Sequence, residues 1–221
     1  SLTEVRMQKV VAFDIGNVLF FTDWERAGKF LEEQLGIPAK QVGQLFWGRA
    51  WGGRALEWFL NLNEGTDCAF HAIAEKALGR AIPEGLFWKM WNKEWVSNEP
   101  VISLVERLAV IQRPPTLAIC SNINQPHWTH LCTTYPVFRH FSVVALSYRV
   151  GKMKPDHEMF RSISRACLGD VAPPTLLVDD RIDNVESAEI FGWEAYHFDP
   201  NPPSSVAELQ DAIESFLGSK F

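Results

Sequence analysis

Two patterns of apolar and polar positions divide this chain. In the first, short apolar runs end in a polar residue. Val10-Val11-Ala12-Phe13 runs into Asp14, Gly16 follows two positions on, and an apolar stretch resumes at Val18-Leu19-Phe20. Runs of this length read as buried strands of a parallel sheet. The signature recurs at Thr116–Asn122, Phe141–Leu146 and Thr175–Val178, and a fifth strand is predicted from Glu194 to Phe198. Between these runs the period is helical. Helices are predicted from Val101 to about Ile111, after Pro155 with Met159, Phe160, Ile163 and Cys167 on one face, from Asn184 to Phe191, and from Ser204 to Leu217. Strands alternating with helices predict an α/β fold whose parallel sheet is joined by right-handed crossovers. Open α/β sheets place their ligands at the carboxyl ends of the strands, where Asp14 falls. On its own, Asp-x-Gly at a strand end needs no chemistry, because both are ordinary turn residues.

The second pattern follows Phe20, where helical periodicity holds for about seventy-five residues. Thr22 or Asp23 can cap a helix beginning near Trp24, with Ala27, Phe30, Leu31 and Leu35 on one face and Gly36 at its end. Further helices are predicted from Pro38 to about Trp51, Gly53 to Leu62, Asp67 to Leu78 and Glu84 to Val96, separated by joints such as Gly52-Gly53 and Asn63-Glu64-Gly65-Thr66. Seven of the nine tryptophans lie between Trp24 and Trp95, enough for a small aromatic core or face belonging to this block. The block interrupts the alternation after the first strand. It is therefore read as an insertion, residues 22–97, whose two ends lie together over that strand's carboxyl edge. Residues 1–21 and 98–221 form the main domain.

Composition narrows the classes. A hydrophobic fraction of 47% with 22% charged residues is ordinary for a globular chain. A net charge of −6 gives no electrostatic reason to expect nucleic acid or an anionic membrane as partner. No apolar run approaches membrane-spanning length. Glu4, Arg6 and Lys9 ahead of a strand-length run are not the pattern of a signal peptide, and a cytoplasmic location is expected. Cys68, Cys120, Cys132 and Cys167 are scattered without a CxxC pair and read as separate reduced thiols. Oligomeric state is not legible.

The strand ends carry the chemistry. They are Asp14-x-Gly16-x-Val18, Ser121-Asn122, Lys154-Pro155, and Asp179-Asp180 with Asn184 behind. In a parallel sheet they converge on one crevice, bringing together three carboxylates, an ammonium and a hydroxyl. Three carboxylates in one crevice repel one another, and a divalent cation held by oxygen ligands alone points to Mg²⁺. Ser121, backbone N–H groups and Lys154 at a helix start suit a phosphoryl group.

With these four motifs in this order, and a helical block between the first two, the sequence resembles the haloacid dehalogenase-like (HAD) hydrolase superfamily, in the branch with a helical cap after the first motif. The resemblance spans Asp14 to Asn184. It implies a Rossmann-like three-layer parallel core with an inserted all-helical cap. It further implies Asp14 as a nucleophile that forms an aspartyl-phosphate, and Ser121, Asn122 and Lys154 as binders of the phosphate, with Lys154 also catalytic. Asp14, the Gly16 carbonyl, Asp179 and Asp180 are implied as the Mg²⁺ set, Asp180 resembling the direct ligand. The substrate implied is a small phosphorylated metabolite. One position departs from the pattern: most phosphatases of the family carry a second Asp where this chain has Gly16. That residue protonates the leaving group, help typically worth ~10²–10⁴-fold. The segment Phe13-Asp14-Ile15-Gly16-Asn17-Val18-Leu19 is similar to a sub-branch with Gly here, which includes a sugar 1-phosphate phosphatase. An anomeric oxygen needs less protonation to leave.

Other residues have plainer readings. His127 and His130 could reach the crevice, though a surface or capping role explains them. Asp183 reads as a solvated helix start and Asn184 as an orienting group for Asp179 or Asp180. Trp24 and Arg54 could read substrate, though packing and solvation suffice. Two rival functions remain: a silent binding domain, which Gly16 favours, and a metal-free dehalogenase, which the acidic pair Asp179-Asp180 opposes.

Overall fold

The computed structural model describes residues 8–46, 60–167 and 172–221. Five parallel strands form the main sheet: β1 (Val10–Phe13), β4 (Thr116–Ser121), β5 (Val143–Leu146), β6 (Thr175–Asp179) and β7 (Glu194–His197), in the order β5-β4-β1-β6-β7. β1 lies at the centre, and every residue in it is buried because helices cover both faces. Alternate residues of each strand serve opposite faces. Val11, Phe13, Leu117, Ile119, Leu176 and Val178 pack with α5 (Glu99–Ala109) and α10 (Ser205–Leu217). Val10, Ala12, Ala118, Cys120 and Leu177 pack with α8 (His157–Ala166) and α9 (Ile182–Phe191). The result is the three-layer α/β fold that the alternation predicts.

The segment between β1 and β4 adds a second core. Helices α1 (Trp24–Leu35), α2 (Ala39–Phe46), α3 (Asp67–Leu78) and α4 (Glu84–Trp91) bury Leu31, Phe46, Phe70, Phe87 and Trp91 against one another. Asp23 caps α1 by accepting from the Arg26 N–H at 3.0 Å, and Gly36 ends it in the left-handed conformation with φ 65°. Residues 60–62 are helical, whereas Gly52-Gly53, Arg54 and most of the helix predicted from Gly53 lie outside the described residues.

Two elements differ from expectation. The helix predicted from Glu84 to Val96 stops at Trp91, turns through a 3₁₀ segment at Asn92–Glu94 and becomes strand β3 (Trp95–Ser97). β3 pairs antiparallel with β2 (Phe20–Thr22), joining Phe20 to Ser97 and Thr22 to Trp95 in register. The ladder uses the backbone groups that a longer helix would have used, and Trp and Val suit a strand better than a helix end. The polar segment around His127 and His130 is a helix, α6 (Gln125–Thr134), capped by Asn124.

The helical segment is bonded to the main core through buried polar groups. Where β3 returns to the core, Asn98 donates to the Val18 carbonyl at 2.9 Å, and its N–H donates to the Leu19 carbonyl, so the chain is pinned at the junction itself. Asn124 donates to Asn61 Oδ1 at 3.2 Å and accepts from Trp91 Nε1 at 3.4 Å. His127 donates from Nε2 to the Trp91 carbonyl at 3.0 Å and accepts at Nδ1 from Asn124, while its ring stacks on the Trp91 indole.

Candidate active site

Asp14 continues β1 by one residue, its N–H bonded to the Val178 carbonyl, so its side chain leaves the sheet at the carboxyl edge. Oδ1 accepts from the next backbone N–H, of Ile15, at 2.7 Å. Oδ2 faces Lys154 Nζ at 3.1 Å. Lys154 also lies 2.5 Å from Asp179 Oδ2, so one ammonium, with no exposed side-chain area, bridges two carboxylates. Asn122 fixes the main chain there: its Oδ1 accepts from the Lys154 N–H at 2.7 Å and its Nδ2 donates to the Lys154 carbonyl at 3.0 Å. The Lys154-Pro155 bond is cis.

Asp179 ends β6 and is fully buried. Its Oδ1 accepts from the Arg181 N–H at 3.0 Å and from Asn184 Nδ2 at 2.9 Å. Asp180 turns the other way, its Oδ2 accepting from Asn17 Nδ2 at 2.9 Å. Asp14, Asp179 and Asp180 each offer an oxygen within 4.8 Å of the others.

The electrostatics follow from crowding. Burial pushes Asp14 up to about 7, with Asp179 and Asp180 adding to the rise and Lys154 and a Ser121 hydrogen bond opposing it. Asp180 is raised too, chiefly by burial, against the bond from Asn17. For Lys154, burial works against the charge, but Asp14 and Asp179 overcome it and hold the ammonium above its ordinary range.

A cavity of about 780 Å³ opens over these groups. Asp14, Gly16, Asn122, Lys154, Asp180 and Asn184 line it on the core side, and Trp24, Asn61 and Leu62 face them from the helical segment. Ser121 and Asp179 do not line it; they stand behind Asp14 and Lys154. Asp183 also lines it, paired with Arg181 at 2.6 Å. His127 reaches the same cavity but is 2% exposed and engaged across the seam, while His130 lies elsewhere. Gly16 is bare on its cavity side: a Cβ built on it would meet nothing within 4 Å.

No family model and no curated protein matches the sequence. Solved structures do match. A HAD-family enzyme from Bacteroides thetaiotaomicron superposes with a TM-score of 0.72 at 21% identity, covering 91% of this chain and 98% of that one. The same enzyme has been solved with magnesium and inorganic phosphate. A HAD phosphatase from Thermococcus onnurineus gives a TM-score of 0.62 at 18% identity, covering 96% of this chain and 99% of that one. The fold is that of the HAD enzymes. An L-2-haloacid dehalogenase from Xanthobacter autotrophicus shares it as well, at a TM-score of 0.61 and 16% identity over 96% of this chain and 88% of that one, so the HAD fold alone does not choose between phosphorus and carbon as the centre attacked.

Within this HAD-fold crevice, sequence reasoning missed Asn17, which holds Asp180 and has φ 55°, and Asn61 and Asn124, which brace the cavity wall. An Asn directly after Asp-x-Gly was a signal for the first, since Asn tolerates the left-handed region. The other two bond across 63 residues and leave no local pattern.

Proposed function

We propose that the chain is a Mg²⁺-dependent phosphatase of a small phosphorylated metabolite, with a sugar phosphate as the substrate class, acting through an aspartyl-phosphate on Asp14. The observation that carries this reading is the three-carboxylate group of Asp14, Asp179 and Asp180 with Lys154 as its one bridging cation. Its donor set suits a hard divalent ion, being oxygen only and short of positive charge. Asn184 Oδ1, buried and without a hydrogen-bond partner, marks a further unused acceptor beside it. Asp14, Asp180 and the Gly16 carbonyl would hold Mg²⁺, with Asp179 contributing charge from behind. The ion would neutralise the phosphoryl oxygens and the carboxylates together.

The chain's own residues do the remaining work. Asp14 attacks phosphorus as the bond to the leaving oxygen breaks, and water later cleaves the acyl phosphate to return the carboxylate and inorganic phosphate. Lys154 is fixed by Asn122 and Asp179 before substrate arrives, so its charge stands ready where the transferring group's charge must be met. Ser121 orients Asp14 from behind. The helical segment, taken as a cap over residues 22–97, excludes water from the crevice and reads the leaving group.

The test is phosphate release from a panel of phosphorylated metabolites with and without Mg²⁺. Turnover should require the ion and vanish in Asp14→Asn, which barely changes volume and should keep the wild-type melting temperature. A folded Asp14→Asn protein with unchanged phosphate release would sink the mechanism, and full activity in excess chelator would revive the dehalogenase reading. The bare Gly16 favours the rival of a silent binding domain, and the absence of turnover on any substrate with phosphate still bound would select it.

A further inference from the structure

A second cavity, of about 700 Å³, lies between the helical segment and α6, lined by neither Asp14 nor Lys154. Its volume is in the range of small-molecule sites. Arg26, Lys89 and Lys93 line it, with His130 from α6. Among the described residues no Asp or Glu lines it and no ion pair engages Arg26, Lys89 or Lys93, while Arg26 and Lys93 also border an adjoining groove that carries Asp23, Glu25 and Glu33. Its walls are aromatic: Phe30, Trp88, Trp95 and Tyr135. Lys93 Nζ stands 4.8 Å from the centre of the Phe30 ring.

Of these walls Trp95 is the most deeply set, 8% exposed. Three cations and a histidine suit a phosphate dianion better than a single carboxylate. Aromatic walls suit a flat ring, by stacking.

The cavity also adjoins the candidate active site physically. Trp95 lines both cavities. Trp95 packs edge-on against Phe20 with ring centres 6.4 Å apart, and Tyr135 lies 4.6 Å from the same ring. The Phe20 carbonyl accepts from the Asn17 N–H at 2.7 Å, and the Asn17 side chain holds Asp180. A ligand that shifts Trp95 or Tyr135 therefore pushes on the residue that positions a catalytic carboxylate.

We propose that this second cavity binds a small phosphorylated metabolite bearing a flat ring, of the nucleoside monophosphate class, and that its occupancy modulates the candidate active site through Trp95 and Phe20. The test is equilibrium binding of AMP to the full chain with Mg²⁺ and excess inorganic phosphate present, so that the crevice over Asp14 is filled. Saturable one-to-one binding is expected. Adenosine, without the anion, and ribose 5-phosphate, without the base, should each bind at least tenfold more weakly. The double variant Lys89→Ala, Lys93→Ala should lose at least tenfold in AMP affinity, with melting temperature and basal phosphate release unchanged. In the wild type, AMP should shift kcat or KM for a phosphorylated substrate at least threefold, and the double variant should lose that response. AMP binding that inorganic phosphate displaces, or that the double variant retains, belongs to the other crevice and overturns the proposal, as does the absence of saturable binding. Binding without any kinetic response overturns the coupling through Trp95. Should the chain release phosphate from no substrate, the binding result still stands or falls on Lys89 and Lys93, separately from the phosphatase reading.

Discussion

Gly16 is bare where most phosphatases of the resembled family carry an acid, and the space beside it is empty. Its backbone is outside the left-handed region, which Asn17 occupies instead, so no conformational demand keeps a side chain out. A carboxylate can therefore be restored without strain. Wild-type rates should fall steeply as the leaving group becomes more basic, with anomeric and aryl phosphates far ahead of primary alkyl phosphates of similar size. Gly16→Asp should flatten that slope, helping the poorest leaving groups by up to ~10²–10⁴-fold. An identical slope in the folded variant would mean that another group already serves as the acid. At this scale the sequence was informative about strand-end residues, because convergence follows from the parallel sheet itself. It was silent about which amide holds which carboxylate: Asn17 reaches Asp180 across 163 residues, and hydrogen bonds between distant side chains have no period.

Elements place these groups, and β4 and the turn carrying Lys154 are joined by Asn122. Both ends of its amide are spent on the Lys154 main chain, so what it does is fix where the lysine stands. Asn122→Ala should leave two backbone groups short of partners, at about 1–3 kcal/mol, and lower kcat by roughly tenfold as the ammonium loosens. Chemical denaturation and steady-state kinetics on one preparation check both; unaltered kcat would show that Asp179 alone suffices to seat Lys154. Four of the five sheet strands were legible as largely apolar runs, whereas β7 reads Glu194-Ala195-Tyr196-His197, an edge strand exposed at both ends. Helix α6 was not legible, for it buries only His127 and Leu131 and so lacks an apolar stripe. The β2–β3 ribbon was invisible for a different reason: its strands are three residues each, and their pairing joins Phe20 to Ser97.

Across the whole molecule, the seam between core and helical segment sets acid tolerance and motion. Burial holds His127 down at about 3, well below the 6.5 of a free imidazole; the bond to Trp91 opposes that shift and His130 adds to it. The unfolded chain takes up a proton below pH 6.5 and the folded chain does not. His127 therefore contributes stability that is present above 6.5 and lost as pH falls towards 3. Between pH 6.5 and 5 the loss is about 2 kcal/mol from this group. His127→Gln can keep both hydrogen bonds without titrating. Denaturant midpoints at the two pH values should lie closer together in the variant than in the wild type, and an equal fall in both proteins would remove His127 as the cause. The same buried bonds at Trp91, Asn124 and Asn98 tie α4 and the ribbon to the core. Closure over the crevice should therefore be carried by α1. Adding Mg²⁺ and inorganic phosphate should slow amide exchange there and leave β2 and β3 unchanged; faster or slower exchange in the ribbon would make it the hinge instead.

The ribbon has one more consequence, which concerns descent. The chain leaves the core at Thr22 and re-enters at Trp95, and these two residues are partners in one ladder. Whatever lies between them is a detour that starts and finishes at the same doorway. Its length and content can drift, be trimmed or be exchanged wholesale while the central sheet keeps its register and the strand-end groups keep their places. The constraint on such exchange is the face around His127 and Asn124, which any replacement would have to cover. The strand-end groups and the helical segment can thus diverge at separate rates, one held by the sheet and the other by a patch of contact.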